Sequence, residues 1–389
     1  MARVRRYHSW DDALAEWRRY GLPETFIDRK RMAGTVTVIE DDISQDEAAG
    51  LVSSINAKGG EAYLCRKSKR PKVLINAQPH FYERLSMMGD QNEFTIRIVE
   101  AIGNYNSEHT PSLPLGQGEL RFDRPLVMGI LNVTPDSFSD GGEDLDADKA
   151  VERFREMVAE GADIIDIGAE STRPGSHPVT EEEELSRLRP VLQKVASSKI
   201  PISIDTRHAS VAESALHMGG SIINDVSGLR DDAMIEVIAR HQCPVVAMHM
   251  KGEPRTMQED LHYDDLIGDI YSDLSIMLAR AESKGIRKEM VVLDPGIGFG
   301  KGTEQNLEII RRFREFRGLG RPLLLGTSRK AFIGAIAGGG PKERTSGSIA
   351  SAVVGVMNGA NIVRVHDVAE TVRALKVAEA IMTPNLRPY

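Results

Sequence analysis

From about Arg121 to its C-terminus the chain alternates short apolar runs with amphipathic stretches at helical spacing. This alternation limits the possible fold more than any other feature. The apolar runs are Leu126–Leu131, Asp163–Gly168, Ile202–Asp205, Ser221–Asn224, Val245–Met248, Val291–Asp294, Leu323–Gly326 and Ile362–Val365. They are too short to span a membrane, and dense enough in apolar residues for strands buried on both faces. Helical patterns lie between and after them, at Ala147–Glu160, Glu181–Ala196, Ala209–Met218, Asp232–Arg240, Leu261–Lys284, Asn306–Arg314, Gly347–Met357 and Val368–Ile381. Eight strand–helix units in about 260 residues predict an α/β chain whose main body is a (β/α)8 TIM barrel. A doubly wound open sheet has the same local pattern, because strand count alone does not establish closure.

Nearly every apolar run ends in polar residues that a core position would not tolerate: Asn132, Asp166 with Glu170, Asp205, Asn224, Met248 with His249, Asp294, Ser328 with Lys330, and Arg364 with His366. Taken singly, each reads as a strand-end cap or a hydrogen-bonded core group. In a closed barrel all the strand ends face one mouth, so the same groups converge on one pocket. The stretch Leu126–Gly142, LVMGILNVTPDSFSDGG, passes from buried strand to polar turn most abruptly of all.

Composition narrows the partners. A net charge of −8 over 389 residues argues against a general nucleic-acid binder. An anionic small molecule remains compatible, since local cations hold phosphate in an acidic protein. Cys65 and Cys243 have no metal-binding spacing and read as reduced thiols, so the cytoplasm is the expected compartment. No apolar stretch is long enough for a transmembrane helix, and the N-terminus has no apolar core of a signal peptide.

Residues 1–106 read as a small α+β unit of unassigned role. A capped helix opens at Ser9, a β-rich run lies at Thr35–Ile39, and a hairpin flanks the basic run Arg66-Lys67-Ser68-Lys69-Arg70. That basic run reads as a solvated hairpin tip. The Pro-, Gly- and Ser-rich stretch 107–120 is aperiodic and reads as a linker, leaving 121–389 for the barrel.

Two chemistries are represented at the expected mouth. Asp205, Asn224, Asp294 and Lys330 suit a planar heterocycle rich in N–H and C=O groups, because a carboxylate accepts two parallel N–H bonds from an aminopyrimidine edge. Arg364, His366, Asn132, Ser171, Thr172 and Arg173 suit phosphate oxygens, and Asn132 also suits Mg²⁺. The glycine-rich stretch Gly296–Lys301 lacks both the Walker spacing and a Ser or Thr after its lysine, so it does not predict an ATP site.

The segments LNVTPDSFSDGG (131–142), GADIIDIGAESTRPGS (161–176), SIDT (203–206), INDVSG (223–228), VAMHMKG (246–252), LDPGIGFGK (293–301), GTSRK (326–330) and RVHDV (364–368) together closely resemble dihydropteroate synthase, in order and spacing. The resemblance runs from about Arg121 to the C-terminus. It implies a folate-pathway transferase that condenses 6-hydroxymethyl-7,8-dihydropterin pyrophosphate with 4-aminobenzoate, releasing pyrophosphate and 7,8-dihydropteroate.

By the same resemblance, the pterin sits among Asp205, Asn224, Asp294 and Lys330, with Met248 and Arg364 against its faces. Asp205, Lys330, Asp294 and Arg364 become the catalytic set. Asn132, Arg173, Arg364 and His366 hold the pyrophosphate, with Mg²⁺ at Asn132, and Phe138, Thr172, Pro174, Phe299 and Ser328 frame the 4-aminobenzoate. The resemblance also implies sulfonamide targeting and a homodimer through the last barrel helices, which carry Gly347, Ala350, Val353, Val354 and Met357. A related methyltetrahydrofolate-binding barrel would share the pterin contacts but lack LNVTPDSFSDGG and the Ser328–Lys330 triplet, both of which are present.

Overall fold

The computed structural model describes residues 1–7, 9–22, 35–68, 70–89, 92–107, 110–116, 118–134, 143–170, 179–253 and 256–382, with the side chains of 143–146 left out of the description. The chain divides into two compact units, one of Met1–Glu108 with Arg314–Gly320 and one of His109–Phe313 with Arg321–Tyr389.

The first unit is built on a four-stranded antiparallel sheet of β1 (Ala2–Arg5), β2 (Val36–Glu40), β3 (Glu61–Leu64) and β4 (Val73–Ala77), in the order β1-β2-β4-β3. The side-chain period of two sends Ala2, Val4, Val36, Val38, Val73 and Ile75 to one face, where helices Gln45–Ala57, Pro79–Met87 and Glu93–Asn106 cover them. Ile39 and Leu74 point the other way, onto Trp17 of helix Trp10–Arg19. Ser9 caps that helix on Asp12, and Ser44 and Glu47 form a capping box on the next, as their spacing predicts. Strand β1 has no counterpart in the sequence reading.

The second unit opens with a two-stranded hairpin of β5 (Leu113–Pro114) and β6 (Glu119–Leu120), within the stretch read above as a linker. Its composition is loop-like, but Leu113 is fully buried among the barrel's own strands.

The eight strands that follow are β7 (Leu126–Asn132), β8 (Ile164–Gly168), β9 (Ile202–Asp205), β10 (Ile222–Asp225), β11 (Val245–Met248), β12 (Val291–Asp294), β13 (Leu324–Leu325) and β14 (Ile362–Val365). They are parallel, in the order β12-β11-β10-β9-β8-β7-β14-β13, and a parallel bridge from Leu293 to Leu323 closes the ring. A closed (β/α)8 barrel decides against the open sheet. Helix Leu266–Ser283 starts five residues later than its apolar pattern suggested, where Asp265 caps Gly268. A short helix at Ala331–Ala337, after β13, escaped the sequence reading because seven residues give too little periodicity.

Period two also decides what faces the barrel interior. Leu113 of the hairpin packs with Leu126, Met128, Ile164, Ile222, Val246, Val292, Leu324 and Ile362, one inward layer near the strand starts. Two residues further along, the same parity brings Asp166, Asn224, Met248, Asp294, Gly326 and Arg364 to the C-terminal mouth. The opposite parity packs on the helices: a Cβ at Gly129 would meet Met157 Sδ at 3.0 Å and Val368 at 3.1 Å.

Candidate active site

The mouth is organised by a buried charge network. Arg364, on β14, donates from Nε to Asp166 Oδ2 and from Nη2 to Asp205 Oδ2, each at 2.6 Å. Asn224 Nδ2 donates to the same Asp166 oxygen at 3.0 Å. Asp166 is 0 % and Asp205 8 % exposed, yet Oδ1 of each has no hydrogen-bond partner among the described residues. A buried carboxylate oxygen without a donor is costly, so these two atoms keep unused acceptor capacity beneath the mouth.

Electrostatics agree. Burial pushes the Asp205 carboxyl up to about 7; Arg364 pulls against the shift while Asp166 adds to it. Asp294 is also raised by burial, against the pull of Lys330. Lys330 is lowered to about 8 by burial, with Asp294 opposing the shift and Arg364 adding to it. Burial works to lower Arg364 as well, but Asp166 and Asp205 overcome it and raise its value.

Lys330 donates from Nζ to the Ile297 carbonyl and lies 4.8 Å from the centre of the Phe299 ring. Phe299 in turn packs on an apolar cluster of Val226, Met248, Met250 and Met257, so one wall of the mouth is apolar and flat-ligand compatible. The loop that carries Ile297 and Phe299 needs its glycines: Gly296 has φ +71°, and a Cβ there would sit 1.9 Å from the His249 carbonyl oxygen. Beyond β14, the His366 backbone N–H donates to Ser328 Oγ at 3.1 Å, and Ser328 Oγ lies 3.0 Å from His366 Nδ1.

Of the residues singled out in the sequence, Asp205, Asn224, Met248, Asp294, Ser328, Lys330, Arg364 and His366 all lie at or just beyond C-terminal strand ends, and Phe299 lies on the β12 loop. Asn132 ends β7, half-buried. Phe138, Ser171, Thr172, Arg173 and Pro174 lie outside the described residues.

Asp166 was visible as a polar strand end but not as the hub that joins Arg364 to Asn224, because its partners are 198 and 58 residues away. Arg329 had no signal beyond its place in the Ser328–Lys330 triplet. It has φ +58°, donates from Nε to Asp367 Oδ2 at 3.2 Å and from its backbone N–H to Ser348 Oγ at 2.8 Å, and so fixes the turn that aims Ser328 and Lys330.

Among the described residues, two groups of side chains have metal-compatible spacing, Glu213/His217/His241 and Glu170/Glu184/His208. The first already gives Glu213 Oε2 to Arg240 at 3.0 Å. In the second, Arg207 holds both Glu170 oxygens at 3.0 Å, and His208 Nδ1 lies 2.7 Å from Glu184. Cys65 and Cys243 are both buried and form no disulfide. No helix among the described residues is long and apolar enough to cross a membrane.

Comparison with known proteins gives the same reading. Residues 128–366 match the family model described as pterin binding enzyme. The chain is 46 % identical over 265 residues to the dihydropteroate synthase of Escherichia coli strain K12, covering 68 % of this chain and 94 % of that protein. Its structure is similar to that of Yersinia pestis dihydropteroate synthase with a sulfonamide drug complex (TM-score 0.67, 43 % identity), covering 70 % of this chain and 99 % of that one. It is also similar to Burkholderia cenocepacia dihydropteroate synthase complexed with 7,8-dihydropteroate (TM-score 0.65, 40 % identity), covering 71 % and 98 %. A closed barrel, a mouth lined by buried carboxylates and cations, and identity of this extent agree: the chain belongs to the dihydropteroate synthases, transferases of folate biosynthesis within the pterin-binding enzymes.

Proposed function

We propose that the barrel condenses 6-hydroxymethyl-7,8-dihydropterin pyrophosphate with 4-aminobenzoate to give 7,8-dihydropteroate and pyrophosphate. The observation that carries this reading is the pair of unpartnered buried oxygens, Asp166 Oδ1 and Asp205 Oδ1, beside Asn224. An aminopyrimidine edge supplies N–H donors for such acceptors, and Asp294 and Lys330 provide a further acceptor and donor for the same ring. Met248 and Arg364 lie against its faces.

Departure of pyrophosphate leaves positive charge shared between the exocyclic carbon and the pterin ring. Asp205 stabilises that charge as it develops, because its carboxylate is already in place and needs no reorganisation. Arg364, His366, Asn132 and Arg173 receive the leaving group. The 4-aminobenzoate amine then attacks the carbon, framed by Phe138, Thr172, Pro174, Phe299 and Ser328, with water kept away from the cation. No covalent enzyme intermediate is required.

Asn132 offers a hard amide oxygen, which suits a Mg²⁺ ion that keeps most of its waters and takes the rest of its ligands from the diphosphate. When bound, Mg²⁺ supplies positive charge to the departing pyrophosphate. We place the reaction in the cytoplasm, where the buried Cys65 and Cys243 stay reduced. The synthase works as a homodimer through helices Thr345–Met357 and Val368–Met382, whose outer faces carry exposed Val354, Met357, Val377 and Ile381.

The deciding experiment measures pyrophosphate release by the purified protein with the pterin pyrophosphate and Mg²⁺, with and without 4-aminobenzoate. Release coupled to dihydropteroate formation supports the reading. Pterin binding without release would make the barrel a binding protein.

A further inference from the structure

Beneath the loop that carries Phe299 lies a buried lysine that the reaction described above does not use. Lys301 and His249 are each 2 % exposed. Lys301 Nζ donates to the Phe299 carbonyl at 2.9 Å and to the His249 carbonyl at 3.4 Å, and lies 2.9 Å from His249 Nδ1. With Nδ1 accepting from the lysine, His249 carries its proton on Nε2, which lies 3.1 Å from Asp273 Oδ2. A chain of three polar side chains thus runs from Asp273 at the surface, through His249 at the end of β11, to the underside of the Gly296–Lys301 loop.

We propose that Lys301 is a positioning residue for the 4-aminobenzoate side of the synthase reaction, holding the Gly296–Lys301 loop so that Phe299 and the Ile297 carbonyl meet Lys330. This rests on the reading of the barrel as a dihydropteroate synthase.

Three acceptors match the three donors of an ammonium group, and all three belong to the loop or to the strand end on which it rests. Other side chains tie the loop at other points, among them Asp294, which accepts from the Gly296 N–H at 2.7 Å. Asn306 Oδ1 accepts from the Gly298 N–H at 2.7 Å, while Gln258 and Tyr263 donate to the Gly298 and Gly300 carbonyls at 3.0 and 3.1 Å. None of them reaches the Phe299 carbonyl. The loop backbone also lies directly on β11, as the close approach of Gly296 to the His249 carbonyl requires. Removing the ammonium therefore frees the Phe299 carbonyl while leaving Asp205, Asn224 and Asp294 on their strands.

The chain is electrostatically poised. Burial lowers Lys301 to about 7, with Asp294 opposing the shift and Lys330 adding to it. Burial likewise lowers His249 to about 4, with Lys301 adding to the shift, Asp273 opposing it and Arg230 adding to it. Those charged groups, Asp273, Arg230, Asp294 and Lys330, are the ones that act on the pair.

The test is Lys301→Met in the full-length protein, a substitution that keeps the length of the chain and removes all three donors. The expected result is a rise of about tenfold or more in the KM for 4-aminobenzoate, with affinity for the pterin pyrophosphate held within about threefold. An unchanged 4-aminobenzoate KM, or an equal loss for both substrates, overturns the assignment. Should this variant fail to fold, Asp273→Asn probes the same chain from its solvent end. Its expected effect is smaller, about threefold on the same KM with pterin affinity unchanged, and no change in that KM overturns the proposal. Wild-type protein that makes no dihydropteroate would refute the synthase reading itself; wild-type activity with an indifferent Lys301→Met refutes only the role of the lysine.

Discussion

Arg364 and Asp205 meet through Nη2 and Oδ2 at 2.6 Å although 159 residues separate them, and the contact leaves the second Asp205 oxygen without a partner. The guanidinium holds the carboxylate by one edge and leaves the acceptor capacity of the other unused. Asp205→Asn keeps the shape and removes the charge. The expected outcome is a fall in kcat of about a hundredfold or more, because the lost interaction is strongest once the pterin carries positive charge. Pterin affinity should fall less than kcat. Undiminished kcat in a steady-state assay removes Asp205 from the catalytic set.

Protonation of the same residue gives a second prediction. Burial raises Asp205 to about 7 in the ligand-free site, so it holds a proton at pH values where the unfolded chain has released it. Its contribution to folding is complete below the ordinary carboxylate range and is lost as pH rises through about 7. Lys330, lowered to about 8, behaves oppositely: its contribution is present above the ordinary lysine value and is lost as pH falls through about 8. A pterin that donates N–H bonds to Asp205 favours the charged form, so binding near pH 6 should release about one proton and tighten as pH rises toward 7. Calorimetry in buffers of different ionisation heat reads this directly. A binding heat independent of the buffer refutes it, and Asp205→Asn should abolish the buffer dependence.

Lys330 joins the pterin side to the Phe299 loop through the Ile297 carbonyl. On the proposed reading, Lys330→Ala removes one charge-assisted hydrogen bond to the pterin as well as the contact with the Phe299 ring, and should weaken pterin binding about tenfold. Unchanged affinity by calorimetry means that the lysine serves the loop alone.

What was legible in the sequence follows from the range of the interactions involved. The barrel strands and most of its helices are set by local periodicity, and the polar strand ends could be read from the single fact that each breaks an apolar run. Period two along a strand then carries Asn224, Asp294 and Arg364 to the mouth without further information. The pairing of Arg364 with Asp166 and Asp205 could not be read, because it depends on ring closure between strands far apart in sequence. The β5–β6 hairpin was hidden by its composition; the burial of Leu113 among barrel residues identifies it as part of the barrel. The contribution of Arg314–Gly320 to the N-terminal unit was hidden for the same reason of range, since Glu315 lies 312 residues from its partner Arg3.

That distant partner matters for stability. Arg3 and Arg5, 1 % and 3 % exposed, both donate to Glu315, at 2.5 and 3.1 Å. Arg5 also pairs with Glu16 and Asp12. Glu315→Ala removes a buried carboxylate that two buried guanidiniums share and should cost about 3 kcal/mol of stability. Denaturant unfolding followed by the fluorescence of Trp10 and Trp17, both in the N-terminal unit, reads this. A loss below about 0.5 kcal/mol would mean that the pair is only as valuable as an exposed ion pair.

The dimer proposal has its own test. Val354 and Met357, 45 % and 56 % exposed, lie three residues apart on helix Thr345–Met357 and so share a face, and Val377 and Ile381 lie four apart on helix Val368–Met382. An apolar face of this kind is stabilised by a second copy related by a two-fold axis, which buries each patch against its equivalent. Wild-type protein should sediment as a dimer at micromolar concentration. Val354→Asp places a charge near the centre of that face and should shift the protein to monomer. Because the side chain is exposed within one chain, the fold of the protomer should be nearly unchanged, with a midpoint shift of only a few degrees. A wild-type protein that is monomeric throughout the concentration range refutes the dimer; a dimer that survives Val354→Asp places the interface elsewhere.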